Sequence, residues 1–138
     1  MQKHLIFSGL FLLAAATGFS QARDYKVVFD LTSKDTINQQ TIIREVGLIK
    51  EANPDAQLEV VIYGQGLDLA VKGRSAQEEA VQRLIAGGKC SFKVCAMTMK
   101  RNHIGQDQLV PGVEVVPDGI YEILSRQREG WGYIKVAH

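Results

Sequence analysis

The stretch FKVCAMTMKRNHI, residues 92–104, passes from an alternating apolar run into a basic, amide-rich segment, with Cys95 at the change. Extending it back to Cys90 gives CSFKVCA (90–96), which reads as a β-strand, and MTMKRNHI, which reads as a short helix. A strand running directly into a helix is half of a βαβ unit, so the question is whether the pattern recurs along the chain.

It does. YKVVFD (25–30) and QLEVVIY (57–63) are apolar runs of strand length. A helix is predicted from Thr36 to Ala52, where Ile42, Ile43, Val46 and Ile49 recur at helical spacing, and NPD (53–55) stops it because the residue before proline disfavours the α region. Asp30, Ser33, Asp35 and Thr36 read as capping residues for this helix rather than catalytic ones. SAQE (75–78) has the form of a capping box opening a helix with Ala80, Val81, Leu84 and Ile85 on its apolar face, ended by Gly87 and Gly88. PGVEVV supplies a fourth strand. Asp118 caps a helix with Ile120, Tyr121, Ile123, Leu124 and Gln127 in period, and WGYIKV closes the chain as a fifth strand. Trp131 and Tyr133 read as packing residues, with a subunit contact as the other use.

Strands alternating with helices imply an α/β fold, a three-layer α/β/α arrangement with a mostly parallel sheet of about five strands. The direction of the fifth strand stays open, because only a glycine separates it from the preceding helix. In such folds ligands bind beyond the carboxyl ends of the strands. Here those ends place Asp30, Tyr63, Gly64, Gly66, Leu67, Cys95 and Thr98 around one cleft.

The amino terminus, MQKHLIFSGLFLLAAATGFSQA, has a basic tip at Lys3, an apolar stretch too short and interrupted to span a bilayer, and small residues at Ser20 and Ala22. It reads as a signal peptide over residues 1–22, leaving residues 23–138 as a single domain in the periplasm or secreted. Of the 16 Lys and Arg residues one, Lys3, lies in the leader, so the rest are balanced by 15 Asp and Glu. That neutrality argues against nucleic acid or an anionic membrane as partner, since both require a clustered positive surface.

An exported chain with two cysteines suggests a disulfide, but Cys90 and Cys95 lie five residues apart along one strand, about 16 Å, on opposite faces. A disulfide requires Cα atoms within about 7 Å, so both read as thiols. Cys95 precedes a helix start, where free N–H groups lower a thiol pKa, and Lys100 and Arg101 add positive charge if turned inward. The competing reading is a buried structural thiol. Cys90, at the other end of the strand, carries no chemistry. His103 lies about two turns beyond Cys95 and reads as a solvated helix-end histidine. With no C-x-x-C or H-E-x-x-H, no metal is expected. GQGLDL (64–69) lacks the third glycine of a dinucleotide fingerprint and reads as a tight turn, so no cofactor is expected either.

Taken together, VFDLTSKD, VVIYGQGLDLAVKG, FKVCAMTMKRNHI and VPDGIYEILSRQREGWGYIKV resemble the DsrE/DsrF-like family over nearly the whole of the chain that follows the predicted leader, from about Asp24 to Val136. The resemblance implies a layered α/β domain that assembles as a homo-oligomer, a trimer or hexamer. It also implies that Cys95 matches the cysteine that carries a persulfide in sulfur-relay members, exchanging sulfur with a donor or acceptor protein. Gly64 and Gly66 fall on the family's glycine-rich loop, and Tyr63 stands where many relatives carry His. The leader is a departure, since the relay members act in the cytoplasm. Two functions follow: a sulfur carrier acting through Cys95, or a non-catalytic ligand-binding or assembly module in which Cys95 only packs.

Overall fold

Both side-chain parities are buried in the strands KVVFDL and QLEVVI, as expected of strands covered on two faces. The computed structural model describes residues 24–136, so the predicted leader over residues 1–22 lies outside the described residues. The strands are β1 (Lys26–Leu31), β2 (Gln57–Ile62), β3 (Cys90–Cys95), β4 (Glu114–Val116) and β5 (Gly132–Val136). The helices are α1 (Thr36–Ala52), α2 (Glu78–Ala86), α3 (Ala96–Arg101) and α4 (Gly119–Arg128). A 3₁₀ segment, Gly64–Ala70, follows β2.

The sheet has the order β4-β3-β2-β1-β5, and every pairing is parallel. β5 therefore lies beside β1, with Asp30 opposite Lys135. Right-handed crossovers explain the layering. The steps from β1 to β2 to β3 move one way across the sheet and put α1 and α2 on one face. The return from β4 to β5 moves the other way and puts α4 on the opposite face.

The larger core lies under α1 and α2. Phe29, Leu31, Val60, Ile62, Phe92 and Val94 pack there against Ile42, Val46 and Val81. Each such side chain contributes roughly 1.5–3 kcal/mol of transfer free energy. Cys90 packs on this face, and both cysteines are free thiols.

The α4 face is thinner. Its apolar cluster consists of Val28, Val61 and Ile123, with Tyr63 and Trp131 packed against it. Ile120, Tyr121 and Leu124, in period with Ile123, stay exposed. Trp131 packs as expected, with the Arg126 guanidinium 5.0 Å from its ring centroid.

Two local readings are corrected. The segment 75–78 is not a capping box: Ser75 Oγ accepts from the Gln77 amide, Glu78 reaches back to the Gly73 amide, and α2 starts only at Glu78. Asp35 is the N-cap of α1, but Asp30 is no cap. It is a buried member of β1 facing α4.

Candidate functional site

Cys95 is the last residue of β3 and the N-cap of α3, in extended conformation. The strand's parity turns its side chain to the α4 face, opposite to Cys90. Burial raises its thiol pKa, but hydrogen bonds from the Gly119, Thr98 and Met97 amides and from the Thr98 hydroxyl outweigh burial and bring it below the ordinary value. Cys90 has only burial acting strongly on it and is pushed up to about 11. One strand thus holds a thiol that favours ionisation and another that resists it.

Each donor has a structural origin. The Met97 and Thr98 amides belong to the first turn of α3, which has no intrahelical acceptor for them. Thr98 is buried, and its Oγ1 accepts from the Gly64 amide at 3.0 Å, which leaves the hydroxyl hydrogen for sulfur. Gly64 has φ +57, a conformation that glycine adopts without strain. Gly119 opens α4 and belongs to a different crossover. A Cβ there would lie 3.2 Å from Cys95 Cβ, 3.3 Å from Val61 Cγ1 and 3.5 Å from Tyr63 Cδ1. The absence of a side chain lets this second helix start reach the sulfur.

The cleft continues toward β5. Asp30 is 4% exposed and accepts from Tyr133 Oη at 2.6 Å and Lys135 Nζ at 3.0 Å. The Lys135 ammonium lies 5.7 Å from the centroid of the Tyr63 ring. Burial and the Asp30 carboxylate push the Tyr63 phenol up to about 12, and the Tyr133 hydrogen bond to Asp30, with some burial, does the same there. Asp30, Tyr63 and Tyr133 line a recess of about 360 Å³ whose other walls are Ile120, Ile123, Leu124 and Gln127.

The predicted cleft residues therefore divide. Cys95, Thr98, Gly64 and Tyr63 come together, and Asp30 joins through Tyr63. Gly66 approaches β1 instead: a Cβ there would stand 2.6 Å from the Leu31 carbonyl oxygen. Leu67 packs in the larger core. Lys100 and Arg101 are exposed in the last turn of α3, and His103 lies exposed beyond it. Among the described residues no three His, Cys, Asp or Glu side chains cluster to hold a metal ion.

Gly119, Tyr133 and Lys135 were missed as site residues. The PDG turn before a helix is a legible signal for Gly119, but its nearness to Cys95 depends on how α4 crosses the sheet.

The sequence model of the DsrE/DsrF-like family matches residues 26–136. No curated protein matches the chain significantly. Among solved structures, a protein of unknown function from Methanobacterium thermoautotrophicum is 31% identical, with a TM-score of 0.76 over 81% of this chain and 99% of that one. The ychN protein from E. coli has a TM-score of 0.65 at 13% identity, over 80% of this chain and 97% of its own. A conserved protein of unknown function from Bacteroides thetaiotaomicron has a TM-score of 0.67 at 10% identity, over 84% and 98%. The latter two likenesses concern the fold alone.

Proposed function

The chain belongs to the DsrE/DsrF-like family, and from that premise and the surroundings of Cys95 we propose that it is a sulfur carrier that holds a persulfide on Cys95. The observation that carries the reading is the set of donors aimed at one sulfur, from the first turn of α3, the Thr98 hydroxyl and the first residue of α4.

The Cys95 thiolate attacks the sulfane sulfur of a donor persulfide or polysulfide. The new S–S bond to Cys95 forms as the donor's S–S bond breaks, and the electron pair leaves on the donor thiolate. No external oxidant is needed. In the second half-reaction an acceptor thiolate takes the outer sulfur and Cys95 departs as thiolate, a step that the same donors favour by lowering the pKa of the leaving group. Cys95 is 5% exposed, which suits a slim sulfur donor. The setting is the periplasm or the exterior, in keeping with the leader sequence, and the working form is a homo-oligomer, a trimer or hexamer.

The test is intact mass after exposure to polysulfide. Wild type is expected to gain sulfur increments that dithiothreitol removes, and Cys95→Ser to gain none. Equal adducts on both, or none on either, would leave Cys95 as a packing residue and favour the non-catalytic module.

A further inference from the structure

α4 covers the sheet face that carries Cys95 incompletely. Ile123 packs with Val28 and Val61, while Ile120 and Leu124 on either side of it in the chain stay 64% and 41% exposed. These exposed side chains do not stand on a convex surface. With Ile123 and the rings of Tyr63 and Tyr133 they line the recess of about 360 Å³. Apolar surface exposed within a concavity marks a ligand site, and a volume at the small end of such sites fits one small organic group.

The one charged residue lining the recess is Asp30, and its charge is already met. Its Oδ1 accepts from Lys135 Nζ at 3.0 Å and its Oδ2 from Tyr133 Oη at 2.6 Å. Among the described residues no Lys, Arg or His lines the recess, so an anionic group placed there would face Asp30 with no counter-charge. An ammonium would compete with Lys135 for the same carboxylate. The same bonds hold the rings in place: Tyr133 is anchored through its hydroxyl, and the Lys135 ammonium lies 5.7 Å from the centroid of the Tyr63 ring. A recess with fixed walls loses little to ordering when a ligand enters.

Tyr63 is the wall that the recess shares with the sulfur. Its Cδ1 lies 3.5 Å, and Cys95 Cβ 3.2 Å, from the point where a Cβ at Gly119 would stand. We infer that the recess seats the uncharged apolar group, aryl or branched alkyl, of a low-molecular-weight sulfur donor and holds the attached sulfur at Cys95. Ile120, Leu124 and Tyr133 are then specificity-determining residues. This rests on the proposed function for its sulfur chemistry and adds to it the class of donor, an organic persulfide RSSH whose R carries no charge. The Cys95 thiolate takes the outer sulfur with its proton, one S–S bond forming as the other breaks, and the donor leaves as RS⁻. Thiosulfate, or a persulfide whose R bears carboxylates, is disfavoured because its charge meets no partner in the recess.

The experiment is alkylation of Cys95 in the full chain by three reagents with one reactive group: iodoacetamide, N-benzyl iodoacetamide and its 4-carboxybenzyl analogue. Rates are followed at Cys95 by peptide mass, and each is divided by the rate of the same reagent with dithiothreitol. The benzyl reagent is expected to label about tenfold faster than iodoacetamide on this scale, the gain from burying its ring. The carboxybenzyl analogue is expected to lose that gain. So is the benzyl reagent on Leu124→Trp, which fills the recess from an exposed position. Any of three results overturns the assignment: no gain for the benzyl reagent, an equal gain for the carboxybenzyl one, or a gain that survives Leu124→Trp. Alkylation transfers no sulfur, so the two readings fail separately. Absence of discrimination removes the recess even where polysulfide adducts form on Cys95, and a polysulfide-inert Cys95 removes the persulfide even where the benzyl reagent is preferred.

Discussion

Cys90 and Cys95 are chemically the same side chain, and the difference between them comes from which end of β3 each occupies. Cys90 lies in the apolar core under α1 and α2, where burial favours the thiol form. Cys95 has helix-start amides and a hydroxyl to receive negative charge. The Thr98 hydroxyl links the glycine turn to the sulfur, so Thr98→Val removes a donor to Cys95 and also leaves the Gly64 amide without its acceptor. That substitution is expected to slow alkylation of Cys95 at neutral pH roughly tenfold, the effect of losing one hydrogen bond to a charged atom. An unchanged pH profile of labelling would remove Thr98 from the site. The lowered pKa of Cys95 also has a stability sign. Its ionisation contributes stability above the ordinary thiol value, and that contribution is lost as pH falls through the lower folded value.

At the scale of elements, α4 is the piece on which the site depends. It begins at Asp118, whose carboxylate accepts from the Ile120 and Tyr121 amides at 2.9 and 3.2 Å. Asp118→Ala is expected to cost about 1 kcal/mol in urea denaturation, as N-cap losses do. It is also expected to raise the Cys95 titration, because the next residue is the amide donor Gly119. A stability loss with an unaltered thiol would show that the start of α4 does not govern the sulfur. α1 was legible to the residue because an Asp cap, a helical apolar period and NPD agree. α2 was less so, because Ser75 and Glu78 spend their capping capacity on the turn before it. The exposed Ile120, Tyr121 and Leu124 show the limit of periodicity: it locates the helix but does not reveal how much of its apolar face this chain covers.

For the molecule as a whole, the two faces of the sheet are built differently, one apolar and one threaded with buried charge. Burial pushes Cys90 up to about 11 and Tyr63 to about 12, and the hydrogen bond to Asp30 takes Tyr133 to about 12. In the unfolded chain a thiol ionises near 8.5 and a phenol near 10. Between those values and the folded ones the unfolded chain has lost protons that the folded chain keeps, so stability falls as pH rises through this window. Denaturation midpoints are expected to decline steadily from about pH 8.5 upward, and Cys90→Ala to flatten the earlier part of that decline. A flat profile to pH 11 would contradict the burial of these groups.

The sequence by itself determined the α/β class, the strands and helices in their order, the family, and the placing of Cys95 at a strand end before a helix. Each of these is written in local periodicity, caps and breakers, which act over a few residues. Tertiary structure alone decided that β5 runs parallel at the edge beside β1 and that α4 crosses the face opposite α1 and α2. It also brought the Gly119 amide to Cys95, Lys135 to Asp30, and Arg126 to Glu59. Those pairs are far apart in the chain, and no local pattern encodes which face a crossover takes. The right-handed return from β4 to β5 fixes that face, and with it which charges and amides meet the sulfur.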